Sequence, residues 1–182
     1  LAGDSAIAIH GDYDVDGLTS TALLLEYFRA VGTDVDYTIP HRLQDGYGLD
    51  AAAVEEFAER GVDLLITADC GITADEELAM ARERGMSVVV IDHHAVPETM
   101  PPADAILNPK RDSCEFPFSE LSAAGVAFHF TVALRRAMRK RGEFERRREP
   151  DLMSLLDLVA LGTVADVMPL VDVNRTFVRR GL

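Results

Sequence analysis

Ser87-Val88-Val89-Val90-Ile91-Asp92-His93-His94 decides the fold class of this chain. Four consecutive β-branched residues without polar alternation suit a strand covered on both faces, and such strands belong to parallel sheets with helices on either side. The same pattern stands upstream. A run from Ala6 to His10 leads into Gly11-Asp12-Tyr13-Asp14-Val15-Asp16-Gly17, and Leu64-Leu65-Ile66 leads into Thr67-Ala68-Asp69. Further strands are expected at Val35 to Ile39 and Ala105 to Leu107. Helical patterns fill the intervals at Leu18 to Val31, Ala51 to Arg60 and Ala74 to Arg84. Residues 1–110 therefore read as an α/β core, a doubly wound parallel β-sheet flanked by helices.

After Pro109 the strand pattern stops, and residues 111–182 read as a helical C-terminal segment that completes the domain and leads toward a second one. A loop through Cys114 and Pro117 precedes a long helix from Ala123 to Arg141, apolar over much of its circumference. Glu143 to Pro150 reads as a linker. A helix over Leu152 to Leu161, a turn around Gly162 and a short helix over Val173 to Arg179 follow. Because the chain starts almost on its first core strand and stops at Arg180-Gly181-Leu182, the expectation is a piece of a longer protein.

At 182 residues and 48% hydrophobic content the chain can build a sizeable core. No apolar run reaches the ~18 residues of a membrane span and the first residues do not form a signal peptide, so a cytoplasmic location is expected. Two cysteines, Cys70 and Cys114, make no disulfide framework and no zinc-binding CxxC pair. The net charge of −13 argues against a general nucleic-acid coating protein. Eight basic residues between Arg135 and Arg148 stand against Glu143 and Glu145, as a solvated helix end or as an anion-binding face.

The acidic blocks that end the apolar runs carry the chemistry. In a doubly wound sheet the loops after the strands gather along one edge, where these folds place their ligands. Asp12, Asp14 and Asp16 would meet Asp69 there, with Asp92, His93 and His94 from the fourth strand and Asp166 from the helical segment. One aspartate after a strand can be a turn former, and Asp16-Gly17 would serve as a helix N-cap. Several carboxylates at buried strand ends repel one another unless divalent cations share them. Oxygen ligands with one or two imidazoles favour Mn²⁺ or Mg²⁺ over zinc, and two such ions suit in-line hydrolysis of a phosphoester.

Asp92-His93-His94 together with His10 to Gly17 resembles the DHH phosphoesterase superfamily. Ile39-Pro40-His41-Arg42, Asp45-Gly46-Tyr47-Gly48-Leu49, Ile66-Thr67-Ala68-Asp69, Ala124-Gly125-Val126-Ala127-Phe128 and Gly162-Thr163-Val164-Ala165-Asp166-Val167-Met168-Pro169-Leu170 narrow the resemblance to its RecJ-type branch of single-strand-specific 5′-to-3′ DNA exonucleases, over nearly the whole chain. The resemblance implies Asp14, Asp16, Asp69, His93 and Asp166 as ligands of two Mn²⁺ (or Mg²⁺) ions, with Asp69 between them. His10 stands four residues before Asp14, where the wider superfamily has a ligand histidine and RecJ-type sequences vary. His94 would contact the scissile phosphate or move a proton, Arg42 would contact phosphate, and Asp92 would orient a neighbouring imidazole. It further implies release of 5′-mononucleotides from single-stranded DNA in repair and recombination, a monomer, and a single-stranded-DNA-binding protein and a helicase as partners. Other members act on short oligonucleotides, nucleoside bisphosphate, cyclic dinucleotides or pyrophosphate, and Cdc45-like relatives have lost the chemistry.

Overall fold

The computed structural model describes residues 5–41 and 48–182. Arg42, expected at the phosphate, and Asp45 to Tyr47 lie outside the described residues. Five strands, β1 (Ile7–Gly11), β2 (Asp36–Thr38), β3 (Leu64–Ala68), β4 (Ser87–Ile91) and β5 (Ala105–Leu107), form one sheet. Its order is β2-β1-β3-β4-β5 and every pair is parallel. The winding reverses direction between β1 and β3, so the crevice beyond their carboxyl ends is the topological switch point at which such folds bind ligands.

Strand side chains alternate between two cores. Ile7 and Ile9 of β1, Ile66 and Ala68 of β3 and Ile91 of β4 face one layer, built from α1 (Val15–Ala30), α4 (Ala123–Lys140), α5 (Leu156–Ala165) and α6 (Asp172–Gly181). Ala8, Leu65, Val88 and Val90 face the other, under α2 (Ala51–Glu59) and α3 (Asp75–Glu83). Covering both faces is what permits the unbroken apolar runs. The helices beyond residue 110 share the first core with β1, since Val126, Val159 and Phe177 pack with Ile7, Leu23 and Phe28.

The structure differs from the sequence expectation in three places that bear on the site. Helix α1 starts at Val15, not Leu18, because Asp14 is its N-cap and accepts the Gly17 N–H at 2.9 Å. Asp16 is thus inside the first turn and free of capping duty. A Cβ on Gly17 would lie 2.4 Å from the Asp12 carbonyl oxygen, which is why this motif needs glycine there. Gly162 is not a turn: α5 runs through it to Ala165. Its missing side chain lets α5 cross α1, because a Cβ would sit 2.6 Å from Asp16 Oδ1 and 2.6 Å from Thr19 Oγ1.

The third difference is the stretch from Glu143 to Pro150, which is no loose linker. It holds a 3-10 turn, Glu143–Glu145, and is tied down by charge. Glu149 pairs with Arg135 at 3.5 Å and with Arg139, and Arg147 pairs with Glu143 at 3.0 Å and donates to the Val31 carbonyl. Part of the basic run is therefore occupied in holding α4 to its own tail.

Replacing Gly162 by Ala should destabilise the protein by about 1–3 kcal/mol through overpacking at the α1–α5 crossing. At this chain length the thermal midpoint should fall by several degrees. An unchanged midpoint in a thermal melt would contradict the packing described.

Candidate metal centre

At the carboxyl ends of β1, β3 and β4 the ladder is extended by one bond at a carboxylate-bearing residue. Asp12 N–H donates to the Ala68 carbonyl at 3.2 Å, Asp69 N–H to Ile91 at 2.9 Å, and Asp92 N–H to Leu107 at 3.0 Å. The three aspartates are thereby fixed by sheet hydrogen bonds and not by loops. Asp69 adopts φ 66°, the left-handed region that Asp tolerates better than most residues, at the cost of local strain.

Three overlapping groups could each hold an ion among the described residues: Asp12, Asp14 and Asp69; Asp69, His93 and His94; and Asp16, His93 and Asp166. In each, one ligand atom per residue lies within 4.8 Å of the others. His93 Nε2 stands 3.3 Å from Asp69 Oδ1, 3.6 Å from Asp166 Oδ2 and 3.7 Å from Asp16 Oδ2. Ligand atoms sharing an ion at ~2.1 Å sit roughly 3–3.5 Å apart, so this spacing suits donors around a common cation. The donor set of carboxylates and imidazoles without thiolate fits Mn²⁺ or Mg²⁺. Buried Asp12 Oδ1 and His93 Nδ1 have no hydrogen-bond partner among the described residues, which is a further sign of a ligand-directed cluster.

Residues around the cluster set its orientation. Asp16 accepts the amides of Ala123 and Ala124 at 2.5 and 3.0 Å, so the first turn of α4, itself capped by Ser122, grips its carboxylate. Asp92 takes the amides of His93 (2.7 Å), His94 (3.0 Å) and Ile72 (3.0 Å) and meets His94 Nδ1 at 2.7 Å. With a proton on Nδ1, that contact lets Asp92 hold the orientation of the His94 ring. Asn108 on β5's end donates to the His94 carbonyl at 3.0 Å.

His10 does not join the three groups. Its Nε2 meets the Gly48 carbonyl at 3.1 Å and its ring packs edge-on against Phe57, while Nδ1 is buried without a partner among the described residues. Asp12, which the resemblance did not include among the ligands, stands with Asp14 and Asp69. The alternation Asp12-x-Asp14 directly after β1 was the signal for it. The amides of Ala123 and Ala124 were not foreseen; the pattern Ser122-Ala-Ala-Gly at a helix start marks the helix but not its guest.

Burial first, and then the charges of Asp16 and Asp14, push the Asp69 carboxyl up to about 10, against a small opposing pull from His94. Asp16 is also pushed up by burial, against the pull of the α4 amides and His93. Burial would raise Asp92, yet the hydrogen bonds from His94 and the backbone outweigh it and hold that carboxyl low. The His94 imidazole is raised, first by its bond to Asp92.

A carboxyl protonated in the native state but ionised in the unfolded chain makes stability fall as pH rises from 3.8 to about 10. Metal-free protein should therefore lose thermal stability with rising pH across that range, and Asp69→Asn should flatten the slope and raise the midpoint at pH 8 in chelator. Added Mn²⁺ should raise the wild-type midpoint and not that of the variant. A variant melting below wild type in chelator would contradict this placement of Asp69.

Among known sequences, the chain matches the DHH family, N-terminal domain, over residues 6–163. It is 48% identical over 177 residues to the single-stranded-DNA-specific exonuclease RecJ of Haemophilus influenzae, covering 97% of this chain and 31% of that protein. It is 43% identical over 178 residues to RecJ of Thermus thermophilus, covering 97% and 24%. A crystal structure of exonuclease RecJ bound to manganese superposes with a TM-score of 0.85 at 40% identity, over 100% of this chain and 44% of that one. CDC45 from Entamoeba histolytica shares the fold, with a TM-score of 0.59 at 14% identity. The chain thus spans about a third or less of the length of these curated relatives. With a family match over most of its residues and a parallel sheet that superposes on RecJ, the chain belongs to the DHH family.

Proposed function

We propose that this chain is the catalytic domain of a metal-dependent phosphodiesterase that hydrolyses single-stranded DNA from the 5′ end to mononucleotides. The observation that carries the reading is the convergence of Asp12, Asp14, Asp16, Asp69, His93 and Asp166 in overlapping ligand groups at one sheet edge. The similarity to RecJ exonucleases supports the choice of substrate.

Asp14, Asp16, Asp69, His93 and Asp166 would hold two Mn²⁺ (or Mg²⁺) ions, with Asp69 common to both, Asp12 beside Asp14, and His10 as a further ligand through its buried Nδ1. Divalent cations, when bound, supply Lewis acidity that lowers the pKa of a water and neutralises phosphoryl oxygens. Asp69 would hold such an ion as the carboxylate, so metal binding there would be linked to release of the proton that burial and the neighbouring carboxylates favour. Asp92 orients the half-exposed His94 ring and raises its affinity for a proton, and that ring would donate to a phosphate oxygen or deliver a proton to the leaving 3′ oxygen. Arg42 would contact phosphate. The protein acts as a monomer in the cytoplasm, in repair and recombination, beside a single-stranded-DNA-binding protein and a helicase. No helix among the described residues is long and apolar enough to cross a membrane.

End-labelled single-stranded DNA, a dinucleotide and pyrophosphate, offered in Mn²⁺ to the whole protein, distinguish this reading from its family alternatives. Mononucleotides should appear from the 5′-labelled single strand in preference to the other two. Asp69→Ala should abolish turnover and His94→Ala should lower kcat by about 10²–10⁴-fold. Preference for pyrophosphate would overturn the substrate, and full activity of Asp69→Ala would overturn the metal assignment.

A further inference from the structure

A second concavity opens on the same edge of the sheet, beyond the carboxyl end of β5. It has a volume of about 310 Å³, and Leu107, Asn108, Phe116, Leu121, Val126 and His129 line it. β5 is the neighbour of β4, which carries His93 and His94 at its end, and neighbouring strands lie ~4.8 Å apart. One hydrogen bond and one chain connection link the pocket wall to the metal centre. Asn108 donates to the His94 carbonyl at 3.0 Å, and Leu121 directly precedes the capped turn of α4 whose amides hold Asp16.

Its lining has the character of a site for a flat, weakly polar ring. Leu107, Leu121 and Val126 are apolar walls, and Leu121 and Val126 are buried. Phe116 is 38% exposed although it is a large aromatic, and it is held edge-on against His129 with ring centroids 4.8 Å apart. The Gly125 carbonyl can only accept, so the 2.8 Å contact with His129 Nδ1 places a proton on Nδ1 and holds the ring in position. Arg111 cannot swing freely across the mouth, because it donates to the Ile106 carbonyl. Apolar walls, an exposed aromatic and a few fixed polar atoms in roughly 300 Å³ are what small-ligand pockets require.

We propose that this pocket is a base-binding subsite, which holds a nucleobase of the single strand against Phe116 while the adjoining phosphate lies at the metal centre. It rests on the phosphodiesterase reading above. The subsite contributes affinity and register through stacking, which does not depend on positive charge. Stacking on an aromatic side chain is tolerant of base identity, so the pocket orders a strand without reading its sequence.

The test compares the whole protein, in Mn²⁺, on an oligothymidylate and on the same strand with abasic residues at its 5′ end. One lost stacking contact is worth ~1–3 kcal/mol, or about 5- to 150-fold. Wild type should prefer the base-bearing strand by that factor in kcat/KM, Phe116→Ala should lose most of the preference through KM, and Phe116→Tyr, which keeps the ring, should retain it. A wild type that treats both strands alike, or a preference that survives in Phe116→Ala, would overturn the subsite. Hydrolysis of neither strand by wild type would overturn the underlying reading, and the subsite with it.

Discussion

Carboxylates forced together at the buried edge of a parallel sheet set the terms for the rest of this structure. Asp69 is 1% exposed, as are Asp12, Asp16 and Asp92, and a burial of this kind is costly unless charge of the opposite sign is present. Asp92 has its compensation in His94 and three amides, and its carboxyl stays low. Asp69 is driven high, first by burial and then by the charges of Asp16 and Asp14, although His93 stands 3.3 Å away. The contrast between two aspartates at neighbouring strand ends separates a carboxylate that orients a histidine from one built to meet a cation.

The helical segment after residue 110 is part of that site and not an appendage to it. It contributes Asp166 at the end of α5, the amides of Ala123 and Ala124 that grip Asp16, and the absent side chain of Gly162 that lets α5 approach Asp16. Phe177 of α6 and Val159 of α5 pack in the same core as β1, so the position of Asp166 relative to Asp16 is fixed by buried apolar contacts. A ligand group drawn from β1, β3, β4 and α5 therefore depends on one packed layer being intact.

Much of this was legible in the sequence because the physics there is local. Unbroken runs such as Val88 to Ile91 required covering on both faces, and the parallel order then placed Asp69 and His93 on one edge although 24 positions of chain separate them. Two features were not legible, each because it depends on an approach between distant segments. Gly162 reads as a turn until α1 is known to lie against it. Asp16 reads as a cap for the helix that follows it, whereas Asp14 has that role and Asp16 serves a helix more than 100 residues on.

The account stands on cations shared by Asp69 and His93, and anomalous diffraction from crystals of the protein grown with Mn²⁺ tests it most directly. Two peaks should appear at the carboxyl ends of β1, β3 and β4, both within coordination distance of Asp69, one also of His93, Asp16 and Asp166, the other also of Asp14. A single peak that avoids Asp69, or manganese bound only outside this edge, would contradict it.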